Sequence, residues 1–334
     1  MKTSKLVAGA MALIVPATVC LTGCSIGLFN TVNYKYEDSD KYTAGDREID
    51  EQVTKVNIDY LSGEVKVKGT DSDTISIKET SNKTIDDDHK VHTWVDDGTL
   101  YVRYCASKNA LNFTGIEKSL EITLPSAQNL DDFLIHVSSG NTEISGITAD
   151  SLKSSASSGN VTIDCSAEVI ELKASSGNVN LTQSGDNKSI YVKSSSGKVF
   201  LTQEGTSGSI KLDSSSGGVT ANVDQVSQMD VHVSSGKINI EANNIVDLIS
   251  KASSGHSDFK LKTAPKTSDI DVSSGGVSVS IPEDSDITVN VSISSGEFNY
   301  DLPFTKDGKT YVNGNGSSQM KIHSSSGDVD FFKI

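Results

Sequence analysis

Paired carboxylates are the first residues in this chain whose types and spacing could do chemistry, since two nearby acids can divide the roles of general acid and general base. Asp213 and Asp230 fall in neighbouring repeats of the sequence, and Asp328 and Asp330 alternate along one segment. No His or Arg accompanies either pair at the same repeat positions, so solvated surface acids are the favoured reading. His136, His232 and His323 share one repeat position but stand four or five repeats apart. At about 4.8 Å per layer that is roughly 20 Å, far outside a shared metal sphere with bonds of about 2 Å. His89 and His92, beside Asp86, Asp87 and Asp88, make at best a loose chelate, and the Gly-Gly-x-Gly-x-Asp calcium repeat is absent. A catalytic serine is singular and strained, whereas the serines here recur in every repeat, which argues for architecture. No catalytic, cofactor-binding or metal residue is therefore assigned, and the chain reads as a non-enzyme. Tyr191 and Phe200, near each other on outward parity, are candidates for a small sugar- or partner-contact patch.

Thiol acylation is a different chemistry, and it belongs to the N-terminus. Lys2 and Lys5 precede an apolar run from Leu6 to Val19 that no acid interrupts, and Leu21-Thr22-Gly23-Cys24 follows. This segment resembles the lipobox of bacterial lipoproteins, which implies removal of residues 1–23 as a signal peptide and acylation of Cys24, with palmitate among the expected chains. Cys20 fits less well, because the branched Val19 is a poor occupant of the small site before the cut. A retained span is the competing reading, but Leu6–Gly23 falls short of about 20 residues and contains Pro16. A diacylglyceryl group supplies two chains where one alone holds only marginally. Lipidated Cys24 is then the expected membrane partner, with the protein outside the cytoplasm on a bacterial cell membrane. Residues 24–50, polar and rich in Asp, Glu and Tyr, read as a flexible stalk.

Removing residues 1–23 takes away Lys2 and Lys5 and no acid, leaving 44 acidic residues against 27 basic, a net charge of about −17. Such a body is a poor binder of nucleic acid. Beyond Cys20 and Cys24 only Cys105 and Cys165 remain. They are too few for a disulfide scaffold, and two separate buried thiols are favoured over a bridge.

The elements that must carry these residues come from a repeat. Ser-Ser-Gly occurs ten times, with glycines at Gly140, Gly159, Gly177, Gly197, Gly217, Gly236, Gly255, Gly275, Gly296 and Gly327. The spacing is 18 to 21 residues until the last step of 31, which marks an insertion near the end. Seven and five residues before the glycine stand mostly apolar residues, such as Ile190 and Val192 or Ile210 and Leu212. Two and four residues after it stand pairs such as Val199 and Leu201. Between them lie Lys, Asp, Asn, His, Thr and Ser, the period-two alternation of half-buried strands. The alternation changes parity across the glycine, so the chain turns a corner there, and the serine just before it falls on the inward parity.

Equivalent residues in every repeat are what a solenoid needs, because each coil covers the next with like side chains. The fold class is therefore an all-β solenoid of the parallel β-helix kind, about ten coils of 19–20 residues over 51–334. At about 4.8 Å per coil it forms a rod on the order of 45 Å long. The phase reappears around Gly63, with Val56, Ile58 and Tyr60 before it and Val65 and Val67 after. Ile75–Ile77, Leu100–Val102 and Leu120–Pro125 read as strands of an irregular N-terminal cap that protects the exposed end.

Asp-Gly-Thr-Leu-Tyr-Val at 97–102, Leu-Glu-Ile-Thr-Leu-Pro at 120–125 and the run of Ser-Ser-Gly-x-Val-x-Val coils resemble the bacterial putative-adhesin family of β-strand repeat proteins, a family of unknown function. The resemblance covers nearly all of the mature chain. It implies a cell-envelope protein and transfers no catalytic residue. The expected function is a non-catalytic, lipid-anchored adhesin or surface scaffold that binds a glycan or an envelope protein. The alternatives are an accessory sensor or modulator of envelope stress and a polysaccharide-active β-helix enzyme.

Overall fold

The computed structural model describes residues 31–334; the signal segment, Cys24 and the start of the expected stalk lie outside the described residues. From Asn129 to the C-terminus, the strands pair in parallel with their counterparts in adjacent coils, apart from the antiparallel pairings of one hairpin within residues 305–313. Val161, Val179, Val199, Val219 and Ile238 are thus direct neighbours in one column.

One coil shows how the sequence closes on itself. Its buried positions are Thr142, Ile144, Ile147, Ala149, Leu152, Ser154 and Ala156. The interval between them widens from two to three at Ile144–Ile147 and at Ala149–Leu152, and to five across the Ser-Ser-Gly segment. Each widening is a place where the chain turns, so a coil has three sides around a single apolar interior. The result is a β-solenoid.

The Ser-Ser-Gly corner is set by backbone crowding. All ten glycines have φ between +111° and +140°, where side chains are strained. A Cβ at Gly197 would overlap the carbonyl oxygen of Gly177 in the adjacent coil, and the same overlap recurs along the column. Asn160 and Asn178, just after their glycines, accept the backbone N–H of the corresponding residue in the next coil at 3.0 and 2.9 Å. Inside the corner, Ser194, Ser214 and Ser324 donate to the carbonyls of Gly197, Gly217 and Gly327 at 3.4, 3.2 and 3.2 Å. Parity predicts that the serine immediately before each glycine points inward. It is exposed or nearly so, because the turn begins one residue earlier than the parity count implies.

The final coils depart from sequence order. The strand Ser318–Ser326 pairs in parallel with Thr267–Ser274 on one side and with Ile287–Ser295 on the other. Likewise Val329–Lys333 lies between Val277–Ile281 and Phe298–Tyr300. The last coil of the chain is therefore inserted beneath the coil that precedes it. The insertion seen in the spacing is the hairpin Thr305–Asp307 and Thr310–Asn313, whose second strand pairs antiparallel with Ile287–Ser295 and covers that side of the open end.

The expected stalk is corrected by the N-terminal cap. Arg47–Ile49 pairs antiparallel with Ile75–Ser81, Ile49 is buried, and the Tyr34 hydroxyl donates to the Asp59 carbonyl at 3.0 Å and carboxylate at 2.9 Å. The Tyr36 hydroxyl donates to the Cys105 carbonyl at 3.0 Å. Residues 31–50 belong to the folded body, because a few tyrosines and Ile49 bury while the acids between them stay in water. Lys118–Pro125 pairs in parallel with Glu64–Thr70 and antiparallel with Ile75–Ser81, ending the parallel stack with a reversed strand. Cys105 and Cys165 are both buried and free.

Candidate binding faces

Two outward faces meet at the Ser-Ser-Gly ridge, and they differ in chemistry. On the strand before the ridge, Glu171, Tyr191, Lys211 and Asp230 form one column. Lys173, Lys193, Asp213, His232, Lys251 and Asp271 form the next. Here the expectation that no histidine accompanies Asp213 and Asp230 is overturned. His232 Nδ1 lies 3.5 Å from Asp213 Oδ1, and its Nε2 lies 3.0 Å from Asp230 Oδ1. Neither contact is a hydrogen bond, and Asp230 Oδ1 is buried without a hydrogen-bond partner. Lys211 Nζ stands 3.9 Å from Asp213 and 5.8 Å from the Tyr191 ring centroid. Partial burial, with the Asp213 charge next, pushes the Tyr191 phenol upward.

This cluster is poorly built for acid–base work. A histidine acting as a base needs one nitrogen free for the substrate or nucleophile while the other is oriented. Both His232 nitrogens face carboxylates on its own or the adjacent coil. The arrangement sets His232 between a carboxylate of its own coil and one of the adjacent coil on a charged surface.

On the strand after the ridge, the outward residues of four successive coils are Asn160, Thr162 and Asp164; Asn178, Asn180 and Thr182; Lys198, Phe200 and Thr202; and Gly218, Thr220 and Asn222. Only Asp164 and Lys198 are charged and they cancel, in a chain of net charge −15. Thr162, Asn180, Phe200 and Thr220 are in register across the strands. Phe200 is 37% exposed. Tyr191 and Phe200 do not make one patch, since the ridge at Ser195–Gly197 separates their faces.

The other candidate residues serve the fold. Asp328 accepts the Glu297 N–H and Asp330 accepts the Asn299 amide, both at 2.9 Å, which holds the terminal coil. His136 contacts Ser155 and Ser138 at 2.8 and 3.2 Å. Because the last coil is inserted, His323 stacks next to Asp271. His89 pairs with Asp86 at 2.6 Å, while His92 Nδ1 meets the Lys90 carbonyl at 2.9 Å, so the two rings do not converge. Among the described residues no group of three or more His, Cys, Asp or Glu is placed to hold a metal.

A buried ion pair, Lys118 with Glu79, lies among residues with no chemical motif in the sequence. In the cap, Lys118 Nζ lies 2.8 Å from Glu79 Oε1 with neither side chain appreciably exposed. It donates to the carbonyls of His89 and Tyr104 at 2.6 and 2.5 Å and sits 4.1 Å from the Tyr104 ring centroid. Glu79 also accepts the Tyr60 hydroxyl and the Val91 N–H at 2.9 Å each. Burial pushes the Lys118 ammonium below the ordinary lysine range, opposed by Glu79. The signal was parity: Lys118 shares the inward phase of Leu120, Ile122 and Leu124.

No curated protein matches the chain. Among solved structures it is similar to a putative cell adhesion protein from Clostridium sporogenes at 12% identity, covering 87% of this chain and 100% of that one with a TM-score of 0.23. It is also similar to a putative adhesin from Parabacteroides merdae at 10% identity, 86% and 96% coverage and a TM-score of 0.38. A putative adhesin from Bacteroides fragilis matches at 16% identity, 87% and 97% coverage and a TM-score of 0.31. At these scores the likeness says nothing about what the chain binds. The sequence itself matches a described family over residues 53–263 and again over 168–331, two overlapping passes through the repeats that together span most of the chain. The chain therefore belongs to the Toastrack DUF4097 family, a family of β-repeat proteins of unknown function.

Proposed function

We propose that the chain is a non-catalytic, lipid-anchored protein of the bacterial cell envelope, an adhesin-like scaffold whose solenoid presents flat polar faces to another macromolecule. The observation that carries this reading is the His232 cluster. His232, the histidine beside Asp213 and Asp230, has a carboxylate within 3.5 Å of each ring nitrogen, so neither nitrogen stands open to a substrate. A rigid stack of in-register strands suits a binding surface, because little order is lost when a partner docks. Tethering rests on the N-terminal segment ending at Cys24, with two acyl chains giving stable attachment.

The test is made in cells. Metabolic labelling with a palmitate analogue should mark the wild-type chain in the membrane fraction and miss Cys24→Ala, and cells lacking the protein should attach less well to surfaces or partner cells. An unlabelled, soluble wild-type chain would sink the anchoring. Turnover of polygalacturonate that disappears in Asp213→Asn would overturn the non-catalytic role.

A further inference from the structure

We infer that the sheet face built by residues 160–164, 178–182, 198–202 and 218–222 binds a linear, uncharged polysaccharide, with Phe200 as the stacking platform. The inference rests on the proposed scaffold function and names the class of its partner.

The argument begins with charge. Of the twelve outward positions on this face two are charged, of opposite sign, whereas the face across the ridge carries six over the same coils: Lys153, Glu171, Lys173, Lys193, Lys211 and Asp213. Pairing neutral amides and hydroxyls with sugar hydroxyls avoids the cost of desolvating ions. The groups are available for it. Asn160 and Asn178 use their Oδ1 atoms on backbone N–H groups of the next coil, while their Nδ2 groups form no hydrogen bond within the described residues. Asn180 holds Thr162 weakly, at 3.4 Å. The side chains of Thr182, Thr202, Thr220 and Asn222 form no hydrogen bond within the described residues.

Phe200 supplies the other half of sugar recognition. A pyranose has an apolar C–H face, and an aromatic ring with a negative π-face is its natural partner. Around Phe200 the grid repeats at about 4.8 Å along the axis, the strand spacing of the stack. A linear polymer laid along the axis meets a neutral amide or hydroxyl in each of the four coils, so weak contacts combine.

Other partners fit less well. A peptide cannot add as a further strand, because the strands of this face are already paired on both sides. A protein interface needs a cluster of apolar or aromatic anchors at its centre, and Phe200 is the one large exposed apolar side chain on this face. A nucleic acid or other polyphosphate would meet a single lysine.

The experiment is affinity electrophoresis of the full chain in non-ionic detergent through gels containing hydroxyethylcellulose, dextran, galactomannan or polygalacturonate. At least one of the three neutral polymers should retard the protein while polygalacturonate does not. Phe200→Ala and Asn180→Asp should each weaken that retardation about tenfold, and Lys251→Ser on the charged face should leave it unchanged, all with wild-type melting temperatures. Retardation by none of the neutral polymers, or by polygalacturonate alone, would overturn the inference. Wild-type binding by Phe200→Ala and Asn180→Asp would do the same. If palmitate labelling and attachment of cells survive that failure, only the polysaccharide reading falls and the scaffold function stands.

Discussion

At Lys118 an ammonium group sits in the cap with 0% of its side chain exposed and its donors directed at Glu79 and two carbonyls. A buried pair of this kind adds little over a well-packed apolar one, but removing one partner strands a charge. Lys118→Met should cost about 3–5 kcal/mol in denaturant unfolding, and adding Glu79→Leu should recover most of it. A double variant no better than the single would show that the pair is not the source of the loss. His92 is 8% exposed, and burial lowers its affinity for a proton, with the Lys90 carbonyl, Asp88 and Glu79 opposing and Lys118 reinforcing. As pH falls through about 6.5 the unfolded chain takes up the proton before the folded one, so stability is present above that pH and is lost below it. The melting temperature should drop between about pH 7 and pH 5. His92→Gln should flatten the drop; an identical pH profile would assign it to another group.

At the scale of a strand, two adjacent residues carry opposite consequences. Val199 has 0% of its surface exposed, between Val179 and Val219, while Lys198 is exposed. Val199→Asp buries a charge with no partner and should cost more than about 3 kcal/mol, whereas Lys198→Asp should stay within about 0.5 kcal/mol. Equal melting temperatures for the two would refute the register. The alternation of residues 199–203 is readable without coordinates, since it is a local property of a strand half in water. The ridge serines are exposed, against the inward phase that parity predicts, for an equally local reason: a corner consumes residues, and parity does not say on which residue the turn begins.

For the whole molecule, the inserted last coil decides how the distal end holds. Ser318–Ser326 and Val329–Lys333 each bridge two coils that precede them in sequence. Deleting residues 318–334 leaves the terminal coil and its hairpin without the layer beneath them. Stacked repeats are stabilised by nearest neighbours, so the damage should be regional. Hydrogen exchange should show protection lost over 287–313 and retained over 142–252. Uniform loss along the stack would show that the coils unfold as one unit.

The period, the apolar columns, the glycine corner and the β-solenoid they imply are legible in the residues alone, because all of these recur coil by coil and depend on which side of a strand meets water. The order of the last two coils, the docking of Tyr34, Tyr36 and Ile49 into the cap, and the placing of His232 between Asp213 and Asp230 come from long-range packing. Coils with the same pattern offer each other nearly equivalent edges, so local pattern cannot say which edge a given strand takes. Polar residues such as Lys118 and Glu79 can be buried only when partners distant in the chain complete their hydrogen bonds, and that pairing is a property of the assembled fold.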